Sequence, residues 1–274
     1  MKTLLVFTVI LSFCFMHAGH PQQDANGYRY RNEQTVQDKR KIAILAYGSL
    51  VNQCANRHTG ALVETFGFHP TSITLPVSIT HLAQTNRFTA VIDHEGYPKR
   101  VYAAQSKFQF LPNARNNVAA REGSRYRGQE RGYDLKYMFY MKKLTPGTTK
   151  DRNEENIGES NWVILVPKNT RQRLSNNNAQ SIAQWADSQN YTAVIWASFP
   201  PNIESQKAAA AKILEDHDLY YNTRDYISNL PDGPQSPFEK AVVQGPDAVR
   251  NFIRGTGSSR IGYRKICPVK RCCK

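Results

Sequence analysis

A short turn motif is the first place in this chain where residue types could do chemistry. Tyr47-Gly48-Ser49-Leu50 directly follows a continuous apolar run. A glycine here permits a sharp backbone turn and exposes successive N–H groups, which can form a nest for an anion. Such a nest suits the α-carboxylate of an amino acid. A purely structural tight turn is the alternative interpretation of the same residues.

A glutamate downstream of the turn could supply acid/base chemistry. Glu122 stands in the segment Val118-Ala119-Ala120-Arg121-Glu122-Gly123. We predict a short Ala-rich helix over 116–122 that stops at the glycine. A glutamate near the end of such a helix can lie in a half-buried pocket, which suits it to general acid/base work. The alternative is an ordinary surface glutamate paired with Arg121 or Arg125.

Two other arrangements of reactive residues carry less weight. Ser49 could be a hydrolase nucleophile, but the chain has Tyr47-Gly48-Ser49-Leu50-Val51 where a nucleophile elbow would need Gly-x-Ser-x-Gly. Nothing in the sequence pairs Ser49 with a histidine that could act as its base. The available histidines are His58, His69, His81, His94 and His217. Asp93 and Glu95 form a rival carboxylate pair, for which we expect a role in turn formation.

These residues need a scaffold, and the apolar pattern of the chain predicts one. Buried or half-buried strands are expected over 42–47, 72–81, 87–93, 102–110, 135–141, 162–166 and 191–196. Helices are expected over 178–188, 203–214, 219–230 and 246–253. A polar loop is expected over 145–160. Strands come first and helices later, which is typical of an α+β fold with a mixed or antiparallel sheet.

The N-terminal residues predict export. Lys2 gives a positive start, and Thr3–Phe15 is an almost unbroken apolar stretch. We interpret residues 1–18 as a signal peptide and 19–40 as a flexible polar leader. The stretch is shorter than the about 20 residues of a membrane span, although an uncleaved N-terminal anchor is the alternative. We expect a secreted or periplasmic protein with no transmembrane segment after signal removal.

Export makes the cysteines interpretable as disulfide partners. Cys14 belongs to the signal peptide, and the others are Cys54, Cys267, Cys272 and Cys273. An even set in an oxidising compartment predicts two disulfides, for which three pairings are open. Cys272 and Cys273 are poor partners for each other, so we expect one of them to bridge to Cys54 or Cys267. A metal site is the weaker hypothesis, because the spacing matches no zinc pattern.

Composition excludes several classes of protein. Hydrophobic residues make up 40% of the chain, which is sufficient for a core and excludes a disordered or fibrous protein. No repeat of fixed period is present, which excludes a solenoid or propeller. The net charge of +14 attracts anionic partners in general. The basic residues are dispersed and form no aromatic-interleaved platform, so we expect no nucleic-acid partner.

The buried strand, its Tyr-Gly-Ser-Leu turn and the later helix with Arg-Glu-Gly together resemble the γ-glutamylcyclotransferase-like superfamily, over roughly Lys41–Met141. That family has a Tyr-Gly-Ser turn near its N-terminus and an acidic residue downstream. The resemblance implies a small mixed β-barrel or sheet with flanking helices, here extended by a helical C-terminal part. It also implies that Tyr47–Leu50 grips the γ-glutamyl α-amino and α-carboxylate groups and that Glu122 is the catalytic base, with no cofactor or metal.

The resemblance suggests a domain plan and a function. The plan has the signal peptide and leader, a γ-glutamylcyclotransferase-like domain with a helical extension at 41–235, and a C-terminal segment with a Cys-rich basic tail at 236–274. The implied function is an amide-cleaving cyclisation, of the transferase or lyase kind, that releases 5-oxoproline and a free amine or amino acid from a γ-glutamyl substrate or peptide. The alternatives are a non-catalytic exported binding protein of the same fold, a basic secreted protein that binds an anionic partner, and an effector secreted into another cell.

Overall fold

An uninterrupted apolar segment forms the central strand of the protein. In the computed structural model, β1 (Ile42–Ala46) is buried along its whole length, as expected for a strand that is covered on both faces. β1 pairs antiparallel with β4 (Tyr97–Gln105) on one side and parallel with β8 (Ala193–Ala197) on the other. The turn that follows β1 therefore starts from the middle of a sheet.

The structure describes residues 39–52, 62–122 and 135–255. The predicted signal peptide and nearly all of the leader lie outside these residues. The disulfide prediction also lies outside them, since it concerns Cys54, Cys267, Cys272 and Cys273. A compact unit begins at Lys39.

Eight strands form one mixed sheet around β1. The others are β2 (His69–Ala83), β3 (Arg87–Ile92), β5 (Met138–Lys143), β6 (Glu154–Asn156) and β7 (Trp162–Leu165). Their order is β3-β2-β4-β1-β8-β5-β7-β6. Of the pairings in the described chain, β1 with β8 is parallel and the rest are antiparallel. The predicted α+β class with a mixed sheet is confirmed at this level.

The helices have bounds that follow from local sequence signals. They are α1 (Leu111–Arg121), α2 (Asn176–Ser188), α3 (Gln206–Glu215), α4 (His217–Ser228), α5 (Pro237–Gln244) and α6 (Pro246–Arg254). Four of them begin at a side chain that accepts a hydrogen bond from a backbone N–H of the first turn. These N-caps are Ser175, Ser205, Asp216 and Ser236.

The two faces of β1 bury different helices. Ile42, Ile44 and Ala46 pack in a cluster with the buried side of α1, which includes Ala114 and Val118. The alternate residues of β1 belong to a second cluster, to which α2 contributes. A third cluster packs α3 to α6 against residues of β2 and β3. α1 therefore packs on one face of the sheet, where the C-terminal end of α1 can contact the turn that follows β1.

Several predicted bounds were wrong. α1 begins at Leu111, before the predicted residue 116. Its first turn accommodates Pro112, because a backbone N–H at that position would have no hydrogen-bond partner within the helix. The strand predicted over 102–110 is Tyr97–Gln105. The predicted polar loop over 145–160 contains the short strand β6. Helix α5 was not predicted, although it shares its core with α3 and α4.

Candidate functional site

The Tyr-Gly-Ser-Leu motif forms the turn at the end of β1. Ser49–Asn52 is a single turn of 3-10 helix, and the Val51 N–H donates to the Gly48 carbonyl oxygen at 3.2 Å. Tyr47 and Leu50 are buried, with 8% and 6% of their surface exposed, whereas Gly48 and Ser49 are half-buried. The two large side chains therefore anchor the turn and leave its middle accessible.

The requirement for glycine at position 48 differs from the one predicted. Gly48 does not adopt the positive φ that only glycine tolerates well. Instead, a Cβ atom at this position would lie 3.0 Å from the Tyr226 hydroxyl and 3.7 Å from the Ala90 Cβ. Close approach of a neighbouring side chain, and not the turn conformation itself, is thus what favours glycine.

Tyr47 ties the turn to the neighbouring strand. Its hydroxyl donates a short hydrogen bond to the Ala197 carbonyl oxygen at the end of β8. Burial raises the pKa of this hydroxyl above its ordinary value, the Ser198 side chain lowers it in part, and the charge of Glu122 raises it again. Tyr47 therefore stays protonated at neutral pH and acts as a donor, and Glu122 lies near enough to influence it.

Glu122 lies close to this turn. It ends α1, where its N–H donates to the Val118 carbonyl oxygen at 3.0 Å. Its carboxylate contacts Arg121, with Oε1 2.9 Å from Nη1. Arg121 Nη2 in turn lies 3.3 Å from the Ser49 carbonyl oxygen and 3.4 Å from its hydroxyl. The guanidinium thus joins the predicted base to the predicted substrate-binding turn.

The surroundings of Glu122 bear on both interpretations of this residue. The ion pair with Arg121 exists, as the structural interpretation predicts. The glutamate is not an ordinary surface residue, because the side chains of Arg121 and Glu122 are only 10% and 17% exposed. A carboxylate at a helix C-terminus is also on the unfavourable end of the helix dipole. Stability of the helix alone therefore does not explain a glutamate at this position.

Tyr226, which lies within the helix predicted over 219–230, is a neighbour of the turn. It belongs to α4, and its hydroxyl accepts a hydrogen bond from the Ala90 N–H at 3.1 Å. The Arg87 guanidinium lies 5.2 Å from the centre of its ring. Burial raises the pKa of the Tyr226 hydroxyl, and the charge of Glu122 adds to this effect. A second protonated phenol thus stands close to the turn and to Glu122.

The rival arrangements do not form catalytic groups. Ser49 has Arg121 as its side-chain partner, and no histidine of the described chain bonds to it. His81, the most enclosed of the other candidates, donates a hydrogen bond from Nδ1 to the Pro200 carbonyl oxygen at 2.7 Å and stacks on Phe199. His58 lies outside the described residues. Among the described residues, no histidine is therefore placed to act as a base for Ser49.

Asp93 has the structural role that the sequence suggested, in a more buried form. Its side chain is fully buried and accepts hydrogen bonds from Ser78 at 2.9 Å and from Arg171. The Gly96 N–H donates to the Asp93 carbonyl oxygen at 2.7 Å, which closes the turn after β3. Glu95 remains largely exposed, with its side chain at 62%. These carboxylates form a turn and an ion pair, and not an acid/base pair.

Further observations bear on ligands and on relatives. Over the described ranges, no three acidic, histidine or cysteine side chains come together as a metal site would require. No helix within those ranges has the length and apolar character to cross a membrane. Comparison of the chain with protein-family models, curated proteins and solved structures gave no match. The function must therefore be argued from the site itself.

Proposed function

We propose that this protein is a γ-glutamylcyclotransferase-type enzyme that releases 5-oxoproline and a free amine or amino acid from a γ-glutamyl compound. One observation carries the proposal. The largely buried Glu122 carboxylate lies next to the Tyr47–Leu50 turn, to which Arg121 links it through Ser49. These are the residues that the family resemblance assigns to the base and to the substrate-binding loop. We also propose that the fold is the mixed β-barrel of that family and that the N-terminal segment directs export.

The reaction asks little of a protein beyond positioning and proton transfer. A γ-glutamyl amide contains its own nucleophile, because its α-amino group can close a ring on the γ-carbonyl carbon. Holding both groups in one orientation replaces a collision between molecules. The protein must then fold the substrate and accept a proton from the α-ammonium group. Neither step calls for a bound metal or cofactor.

The site residues have separate roles in this proposal. Backbone N–H groups of Gly48 to Leu50 would orient the amino-acid end of the substrate. Glu122 would take a proton from the ammonium and return it to the departing amine. Tyr47 would keep the turn fixed to β8 through its bond to Ala197. Because Tyr47 stays protonated, it can serve as a donor but not as the base.

A non-catalytic binding protein of the same fold is the second candidate. The ion pair between Arg121 and Glu122 favours it, since the guanidinium occupies an oxygen of the carboxylate that a catalytic base would need. If that pair persists when a glutamyl group is bound, the site captures its ligand without reaction. The two functions use the same site residues and differ in what happens to Glu122.

Incubation with a panel of γ-glutamyl peptides and γ-glutamyl amines tests the proposal. The purified protein is mixed with each compound, and 5-oxoproline and the released amine are measured by mass spectrometry. We expect both products, in equal amounts, from at least one compound. Binding without any product would favour the non-catalytic function. Neither binding nor product across the panel would contradict both functions.

A further inference from the structure

Arg121 is a buried cation at the end of α1 whose contacts reach two parts of the site. The residue is 9% exposed. One end of its guanidinium, Nη1, contacts Glu122, and the other end, Nη2, lies within 3.4 Å of both the carbonyl oxygen and the hydroxyl of Ser49. The positive charge is therefore placed at the turn that would receive the amino-acid end of a ligand.

A guanidinium in this position suits the recognition of a carboxylate. It is planar and permanently charged, and its N–H donors form a fork that matches both oxygens of a carboxylate. Such charge-assisted hydrogen bonds strengthen where water is excluded. Arg121 combines this chemistry with burial and with a direct contact to Ser49. A ligand that carries a carboxylate at the turn would meet this charge first.

The same guanidinium affects the proposed base. The Nη1 donor of Arg121 occupies one oxygen of the Glu122 carboxylate. A second carboxylate that reaches the guanidinium would compete for its N–H donors and would free that Glu122 oxygen to contact the ammonium group of a substrate. Ligand recognition and activation of the base would thus depend on one side chain.

We infer that Arg121 binds the α-carboxylate of the ligand at the Tyr47–Leu50 turn and, where that ligand is a γ-glutamyl substrate, releases Glu122 to act as the base. The second part rests on the proposed function, and the first does not. Glu122 accepts a proton from the α-ammonium, the nitrogen bonds to the γ-carbon, and the bond from that carbon to the leaving amine breaks. The protons that the nitrogen loses in forming the ring lactam pass to the leaving amine, which departs as an ammonium ion.

Binding of two lactams tests the carboxylate contact without any reaction. 5-Oxoproline and 2-pyrrolidinone have the same ring, and only the first carries the carboxylate. Calorimetry should show that the wild-type protein binds 5-oxoproline at least about 10-fold more tightly than 2-pyrrolidinone. Arg121→Gln should remove this difference and Arg121→Lys should keep part of it. Arg100→Gln, which changes an exposed arginine of β4, should leave it intact.

Equal binding of the two lactams by the wild-type protein would overturn the inference, and this result needs no variant to fold. A difference that survives in Arg121→Gln, with the variant's circular dichroism unchanged, would also overturn it. Those outcomes concern recognition alone, so they can be told apart from a failure of the proposed reaction.

Turnover of matched anilides tests the second part. The 4-nitroanilides of γ-glutamate and of 4-aminobutanoate release the same amine and differ only in the α-carboxylate. Arg121→Gln should lower kcat/KM for the γ-glutamyl compound by about 10- to 100-fold and change that for the other by less than about threefold. Equal losses with both compounds would overturn release of Glu122 by the substrate. No product from the wild-type protein, with lactam binding still dependent on Arg121, would overturn the reaction and uphold the carboxylate site.

Discussion

The Tyr226 hydroxyl lies 3.0 Å from the position that a Cβ atom would take on Gly48. These two residues come from opposite ends of the described chain, from the turn after β1 and from helix α4. Real Cβ atoms rarely approach a neighbour so closely in well-packed interiors. An added Cβ at residue 48 would therefore require the Tyr226 hydroxyl or the turn to shift by a few tenths of an ångström.

This contact predicts a coupled effect of two substitutions. Gly48→Ala should lower the free energy of unfolding by about 1–3 kcal/mol, because the added methyl group overpacks the site. Tyr226→Phe alone should cost about 1 kcal/mol, because the Ala90 N–H loses its acceptor. In the double variant the methyl group gains space, so the loss should be smaller than the sum. Urea unfolding of all four proteins measures this coupling, and simple additivity would show that the two residues do not meet.

The buried carboxylate of Asp93 predicts a large loss of stability when its charge is removed. Asp93→Asn should lower the free energy of unfolding by about 3–5 kcal/mol, because Arg171 would lose its buried counter-charge and keep only the exposed Glu95 carboxylate, at 3.9 Å. Glu155→Gln is the matched control, since Glu155 pairs with Arg173 at the surface. There the cost should be below about 1 kcal/mol. Equal costs in urea unfolding would contradict the structural role of Asp93.

His81 predicts an acid-sensitive part of the stability. Burial lowers the pKa of His81 from its ordinary value, and the hydrogen bond to the Pro200 carbonyl oxygen opposes this only in part. The unfolded chain then binds a proton more readily than the folded one. The contribution of His81 is complete above about pH 6.5 and is lost as the pH falls from there towards the lowered pKa of the folded state.

Melting curves at pH 7.5 and pH 5.5 check this direction. The wild-type Tm should fall between these pH values, and His81→Phe should reduce that fall, because phenylalanine keeps the stacking on Phe199 but does not titrate. His217→Phe is the control, since the His217 side chain is 81% exposed. An equal fall in the His81 variant and in wild type would contradict the burial of a neutral imidazole.

Those strands and helices whose sequence pattern lies within the element itself could be predicted. The continuous apolar run before Gly48 predicted β1 and its turn, and the Ala-rich segment before Glu122 predicted the end of α1. Helix α5 also had such a signal. Ser236 and Glu239 form a capping box at its start, a pattern visible in the sequence, although no helix was predicted there.

The long-range parts could not be predicted in the same way. Tyr226 fits the apolar face of α4 by its period alone, and only the folded chain shows that its hydroxyl reaches Gly48. The placement of β8 beside β1 likewise depends on pairing across the whole chain. Arg121 was visible as a neighbour of Glu122, but its second contact, to Ser49, required the structure. Strand β6 is short and mostly exposed, so it carries no apolar alternation that a sequence pattern could reveal.

The proposed function requires the Glu122 carboxylate to perform proton transfer at the Tyr47–Leu50 turn. The most direct measurement is the initial rate of 5-oxoproline release by wild type, Glu122→Gln and Glu64→Gln. Glutamine keeps the shape of Glu122 but cannot accept the proton, so the rate should fall by about 100- to 10,000-fold. Glu64 pairs with Lys107 at the surface, and its variant should match wild type. An unchanged rate in Glu122→Gln would contradict the account.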